Sequence, residues 1–159
     1  MYLIGSFSIK VVRLDDCILN VKEIGGGEKV RPFWHHYYAG AQGVIFVVNS
    51  ASREEELEEF RDTLYKCLTN PALRGLPCLI IANHQDLPEA RSEAKIREIL
   101  ELEEACSNRS WVLLMASKNN IGKLREDFSR YTSFLLQSLC GVRGPQHSTT
   151  SLELEGNKI

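Results

Sequence analysis

Asn83-His84-Gln85-Asp86 follows directly on the apolar run Cys78-Leu79-Ile80-Ile81-Ala82. An amide and a carboxylate three residues apart at the end of a buried strand are a set that can read a guanine ring. The carboxylate accepts two hydrogen bonds, from the ring N1–H and the exocyclic amine, and adenine offers no such pair of donors. The Asn amide braces the neighbouring loop and reaches N7. An ionised acceptor fixed at a strand end makes strong, oriented bonds, and ligands of open α/β sheets sit at the carboxyl ends of strands. The same four residues also fit an N-x-x-D turn that closes a strand ahead of Leu87-Pro88.

Other chemistry-bearing residues point nowhere as specific. His35-His36 stands beside Tyr37-Tyr38, but adjacent helical positions diverge by about 100° and do not share a metal. The five cysteines, Cys17, Cys67, Cys78, Cys106 and Cys140, include no C-x-x-C pair, which argues against a metal site and for reduced thiols in a cytoplasmic protein. Cys17 and Cys78 fall in strand-like runs and are expected in the core. Trp34 and Trp111 read as core or packing residues, and Arg53 to Glu59 as a solvated helix face.

With 159 residues the chain suffices for one domain with a sizeable core. A net charge of -2 gives no reason to expect a nucleic-acid partner. No apolar run is long enough to cross a bilayer, and Met1 to Lys10 has neither the basic start nor the apolar stretch of a signal peptide.

Phe7–Arg13 and Ile18–Glu23 read as strands around the polar turn Asp15-Asp16, hence as an antiparallel hairpin. Gly25-Gly26-Gly27 breaks the pattern, and Glu28 to Tyr38 reads as a short irregular helix. Gly43–Asn49 is a continuous β-branched run suited to a strand buried on both faces. Ser50 to Thr69 reads as a helix capped at Ser52, with Leu57, Phe60, Leu64 and Leu68 on one face, ending at Asn70-Pro71. A strand over Pro77–Ala82, a helix over Glu93–Leu100, a strand over Trp111–Met115 and a helix over Ile121–Leu139 follow. In the last helix Leu124, Phe128, Tyr131 and Leu135 form a stripe. Strands alternating with helices predict an α/β sandwich with a mostly parallel sheet and one antiparallel edge hairpin.

Taken in order, the strand ending Lys22-Glu23-Ile24-Gly25-Gly26, the segment Lys29 to Tyr38, the strand Gly43 to Ser50 and Ala82-Asn83-His84-Gln85-Asp86-Leu87-Pro88 resemble the second half of an ADP-ribosylation-factor-like small GTPase, from about Phe7 to Leu139. The resemblance implies a three-layer G domain that binds GTP or GDP with Mg2+. It maps the guanine-binding residues onto Asn83, His84 and Asp86, with a later loop at Ser117 and Lys118 whose backbone N–H contacts the base; an ordinary strand-to-helix loop fits those two residues as well. It maps the γ-phosphate and second-switch positions onto Glu23, Gly25, Gly26 and Gly27. Effector or regulatory proteins are implied at the second switch, at Phe33, Trp34, Tyr37 and Tyr38.

Departures from the family pattern are as informative. No G-x-x-x-x-G-K-[ST] occurs in the sequence, so the backbone cradle, the phosphate-pairing lysine and the magnesium-binding hydroxyl are not supplied. In the family that loop precedes the hairpin, within a strand–helix unit on the order of 30 residues long. The first strand and first helix are therefore expected to be absent, with the membrane-attachment segment, as in a truncated isoform. Leu3, Ile4 or Gly5 stands where the first-switch threonine would be. The water-positioning glutamine is Gly27, and the family's tryptophan and aspartate before the glycines are Lys22 and Glu23. No catalytic residue and no metal ligand is assigned, and nucleotide binding by this chain is expected to be weak or undetectable.

The resulting expectation is an incomplete G domain over residues 1–140 and a disordered tail over 141–159. The missing strand would lie between Ile18–Glu23 and Gly43–Asn49, and each buried polar group it leaves unpaired costs about 1–3 kcal/mol against a total stability of about 5–15 kcal/mol. The strands must close up, recruit a partner or stay marginal. The competing reading is a non-enzymatic interaction module using the aromatic surface; a flavodoxin-like domain would leave Asn83 to Asp86 unexplained.

Overall fold

This computed structural model describes residues 7–13, 18–117, 121–140 and 150–156. The turn at Asp15-Asp16, Cys17 and Lys118 lie outside the described residues. The strands are β1 (Phe7–Arg13), β2 (Ile18–Gly25), β3 (Ala41–Asn49), β4 (Cys78–Asn83), β5 (Trp111–Met115) and β6 (Thr150–Gly156). The helices are α1 (Glu54–Leu68), α2 (Glu93–Ile99), the short α3 (Leu102–Ala105) and α4 (Ile121–Cys140), with a 3₁₀ segment at Arg31–Tyr37. The sheet runs β1-β2-β6-β3-β4-β5. β1 is antiparallel to β2, and every other neighbouring pair is parallel.

Strand alternation builds two cores. Val44, Phe46 and Val48 of β3 and Cys78, Ile80 and Ala82 of β4 turn to one face, where they meet Leu57 and Leu64 of α1, Ile96 of α2, Leu102 of α3 and Trp34. Ile45 and Leu79 turn to the other face with Leu19, Val21, Val112 and Leu114, where Tyr131 and Leu135 of α4 cover them. The Tyr131 hydroxyl donates to the Val44 carbonyl at 3.1 Å, and burial pushes its pKa well above the usual tyrosine value. α1 and α2 carry the chain from β3 to β4 to β5 on the first face. α4 returns it in the opposite direction on the second, which preserves the hand of the crossovers.

Two expectations are corrected. The helix cap falls on Arg53 and not Ser52: the Arg53 N–H donates to the Glu56 carboxylate at 3.2 Å, and the Arg53 guanidinium, first among the causes, holds that carboxyl below its ordinary pKa. The larger correction concerns the tail. Residues 150–156 are not disordered but form β6, in the slot between β2 and β3. Leu19 through Gly25 pair with Thr150 through Gly156 on one side, and Ala41 to Val47 pair with Ser151 to Gly156 on the other. The physical reason is the cost of two open rows of N–H and C=O groups, which an extended segment removes by pairing on both sides.

Candidate functional site

The carboxyl ends of β2, β3, β4 and β5 are Gly25, Asn49, Asn83 and Met115, so all the loops with candidate polar residues leave one edge of the sheet.

Asn83 is the last residue of β4 and His84 turns the chain with φ 64, a left-handed conformation that non-glycine residues rarely adopt. The Leu87 N–H closes the turn on the His84 carbonyl at 3.1 Å. The Gln85 N–H donates to the Ala116 carbonyl at 3.0 Å, which ties this loop to the end of β5 and brings Asn83–Asp86 beside Ala116-Ser117. From the other side the loop is braced by the β3–α1 connection. The Ser50 N–H and hydroxyl both donate to the Asn83 carbonyl, at 3.0 and 2.6 Å. The Gln85 side-chain amide donates to Ser50 Oγ at 2.7 Å and to the Arg91 carbonyl at 3.2 Å. The Arg91 guanidinium donates to the carbonyls of Ser50 and Ser52. Ser50 is fully buried. Asp86, by contrast, is exposed and bonds to no described residue, so both its oxygens can accept.

Ser50 and Arg91 were not found by sequence reading. Ser50 read as the start of a helix, and Arg91 carries no motif; only the fold brings residues 41 positions apart together.

The β2 end is arranged differently. Glu23 accepts from Ser8 Oγ at 3.0 Å and Lys10 Nζ at 2.7 Å on β1. The Gly25 carbonyl accepts from the Trp34 indole N–H at 3.0 Å and the Gly26 carbonyl from Arg31 Nε at 2.8 Å, while Arg31 also pairs with Glu59 of α1. Gly27 accepts from the N–H groups of Val30 and Arg31, at 2.8 and 3.1 Å, and opens the 3₁₀ segment. A side chain added at Gly27 would meet nothing within 4 Å.

The expected aromatic surface is only half present. Trp34 and Tyr38 are 4% and 5% exposed and belong to the core, Tyr38 donating its hydroxyl to Cys67 Sγ at 3.1 Å. A basic-aromatic segment looks like a docking surface in sequence, but the 3₁₀ segment and the residue that ends it place Trp34 and Tyr38 in the core. Phe33 remains exposed, and Tyr37 stacks on Phe7 with centroids 5.0 Å apart. His35 and His36 lie with their rings 4.1 Å apart, and no group of three His, Cys, Asp or Glu residues gathers among the described residues. Glu23, the carboxylate on β2 itself, is bound by an ammonium and a hydroxyl. No helix among the described residues is long and apolar enough to cross a membrane.

Residues 4–135 match the model of the ADP-ribosylation factor family. ADP-ribosylation factor-like protein 15 of Homo sapiens is 46% identical over 129 residues, covering 81% of this chain and 63% of that protein. Its Mus musculus counterpart is 45% identical over the same length and coverage. The chain thus spans 63% of the length of these relatives. Among solved structures, the Arl6 BBS3 small GTPase from Trypanosoma brucei, with a bound nucleotide analogue GppNp, superposes with a TM-score of 0.75 over 83% of this chain and 80% of its own. At 24% identity that is a likeness of fold.

Proposed function

The chain belongs to the ADP-ribosylation factor family, and from that premise we propose that its sheet edge carries the base-reading half of a guanine-nucleotide site, with phosphate binding and GTP hydrolysis weak or lost. Asp86 accepts the two ring donors, Asn83 and His84 hold the loop against the purine, and the Ser117–Lys118 backbone meets the base carbonyl. The observation that carries this reading is the bracing of the Asn83–Asp86 turn by Gln85, Ser50 and Arg91 while Asp86 stays open.

At the other end, Gly25 and Gly26 supply a backbone N–H toward a γ-phosphate, but no phosphate loop occurs in these residues. Most affinity for a nucleotide comes from such a loop, its lysine and the cation. A base edge alone offers bonds of about 0.5–1.5 kcal/mol each, or about 1.5–3 to a charged acceptor. Two or three of these, against an association cost of at least about 4 kcal/mol, give millimolar affinity at best. Gly27 has no side chain with which to orient water. Calorimetric titration of GTP and GDP in magnesium buffer tests this: weak or undetectable heats are expected. A micromolar dissociation constant lost on Asp86→Ala would refute the loss of phosphate binding while upholding the base site.

A second reading is favoured by one observation. Phe7, Ile9, Val11, Ile18 and Phe33 are all large, apolar and exposed, at 41–60%. Exposed apolar patches of this kind mark protein contact sites, so this surface suits an effector or regulatory protein held without nucleotide control. Association abolished by Ile9→Asp with Val11→Asp, and indifferent to added GTP or GDP, supports this reading; association that requires nucleotide returns the function to the first.

A further inference from the structure

β6 fills a slot that its neighbours need filled, but its sequence is not that of a resident central strand. Strands buried between parallel neighbours are near-continuous apolar runs, as Gly43–Asn49 and Cys78–Asn83 are. Thr-Ser-Leu-Glu-Leu-Glu-Gly, by contrast, alternates two leucines with two glutamates. Glu153 is in register between Lys22 and Val44, and Glu155 between Ile24 and Phe46. The pairing is nonetheless complete along all seven residues on the β2 side, with one shift at Ala41/Gly43 on the β3 side. Main-chain pairing of this kind is supplied equally well by any extended segment of suitable pattern, from the same chain or another.

The tether permits both. α4 carries the chain from the edge strand β5 across β4 and β3, and residues 141–149 join it to β6. Nine extended residues span up to about 30 Å, which is a reach comparable to the width of the domain. A segment on such a tether, entering between two strands that are covalently joined elsewhere, resembles the swapped elements of strand-exchanged oligomers.

We propose that the groove between β2 and β3 is a strand-acceptor site and that Thr150–Gly156 is its exchangeable donor, seated in its own chain in the monomer and in a second copy when concentration allows. The donor's register fixes direction, parallel to both neighbours, and its leucine alternation fixes which slipped registers are excluded.

The experiment is a peptide-complementation assay with hydrogen exchange. The chain ending at residue 149 is expected to lose its cooperative melting transition and the amide protection of β2 and β3. A synthetic peptide of residues 147–159 should restore both saturably, and a peptide carrying Leu152→Pro, which lacks the ladder N–H, should not. An unchanged melting temperature and unchanged protection in the shortened chain overturn the proposal. Should the shortened chain not stay soluble, the full chain carrying Leu152→Pro decides: loss of protection confined to β2 and β3 supports the site, and unchanged protection overturns it. Sedimentation of the full chain over rising concentration should show a dimer that Leu152→Pro removes. A full chain that stays monomeric throughout overturns the exchange.

Discussion

The two ends of the sheet's carboxyl edge treat their polar groups in opposite ways. At the β4–β5 end, Ser50, Gln85 and Arg91 bond to main-chain carbonyls behind the loop and to one another, and Asp86 is left open in front. At the β2 end the acceptors are engaged from within: Glu23 by Ser8 and Lys10, the Gly25 carbonyl by Trp34, the Gly26 carbonyl by Arg31. A loop supported from behind is preorganised for a ligand. A loop whose acceptors are met by its own chain is preorganised for itself. The resemblance places motif residues at both ends, Gly25 and Gly26 at one and Asn83 and Asp86 at the other, and it is their partners that distinguish the ends.

The largest effect that sharpens this contrast lies in the packing beneath each end. Ile80 is fully buried in β4, the strand that ends in the Asn83–Asp86 turn. Ile80→Ala should cost about 2–5 kcal/mol through lost burial and a residual cavity. Val11→Ala, on the exposed face of the hairpin at 58% exposure, should change stability by no more than about 0.5 kcal/mol. Urea unfolding of the two variants measures both. Equal costs would mean that the hairpin is as deeply built in as β4, and the contrast would lose its structural basis.

Next comes the bracing itself. Arg91→Ala removes the guanidinium from the Ser50 and Ser52 carbonyls, although the Arg91 N–H still donates to Ser50 at 3.0 Å. Hydrogen bonds from a charged group are worth about 1.5–3 kcal/mol, and a loss in that range is expected, together with faster amide exchange at Gln85 and Leu87. Unchanged exchange there would show the loop to be held by its backbone bonds alone.

At the β2 end the matching change is smaller. The Lys10–Glu23 pair is on the surface, with side chains 62% and 38% exposed. Lys10→Ala should cost about 0–1 kcal/mol and less in high salt. A larger, salt-insensitive loss would make Glu23 a buried structural anchor rather than a screened surface acceptor.

These differences bear on what the sequence made legible. The hairpin, β3, β4, β5 and the long helices α1 and α4 were readable, because period-two and helical periodicities are local. The Asn83–Asp86 turn at the end of β4 was readable from its position after an apolar run. Its support was not: Ser50 and Arg91 meet only through the crossover from β3 to β4, and no local pattern records a contact across 41 positions. Tyr38 was placed on an interaction surface and is buried, while Trp34, read both as a core residue and as part of that surface, is in the core; aromatic residues in a polar segment look exposed until a turn folds them under. β6 was missed for a further reason. Leu152-Glu153-Leu154-Glu155 is a short alternation after a glycine- and proline-containing stretch, and its strand character depends on an acceptor groove more than 100 residues away in the chain.

The smallest expected effect probes whether the β2 end is closed by chemistry or only lacks one residue. Gly27 stands where the family places its water-positioning glutamine, and a Cβ there meets nothing within 4 Å and requires no left-handed backbone. Its carbonyl bonds to Val30 and Arg31 do not depend on the side chain. Gly27→Gln should therefore be tolerated, with stability unchanged or raised by up to about 1 kcal/mol because the unfolded chain loses glycine's freedom. A glutamine restores an amide that can orient water. It restores neither the amide cradle and lysine that stabilise a transferring phosphate nor the availability of Glu23, which Lys10 and Ser8 hold. Phosphate release from GTP should stay at the buffer background in the variant as in the parent. A clear rate in the variant alone would reduce the difference between the two ends to one missing side chain, and a rate in both would mean that the β2 end opens to phosphate despite the bonds that close it.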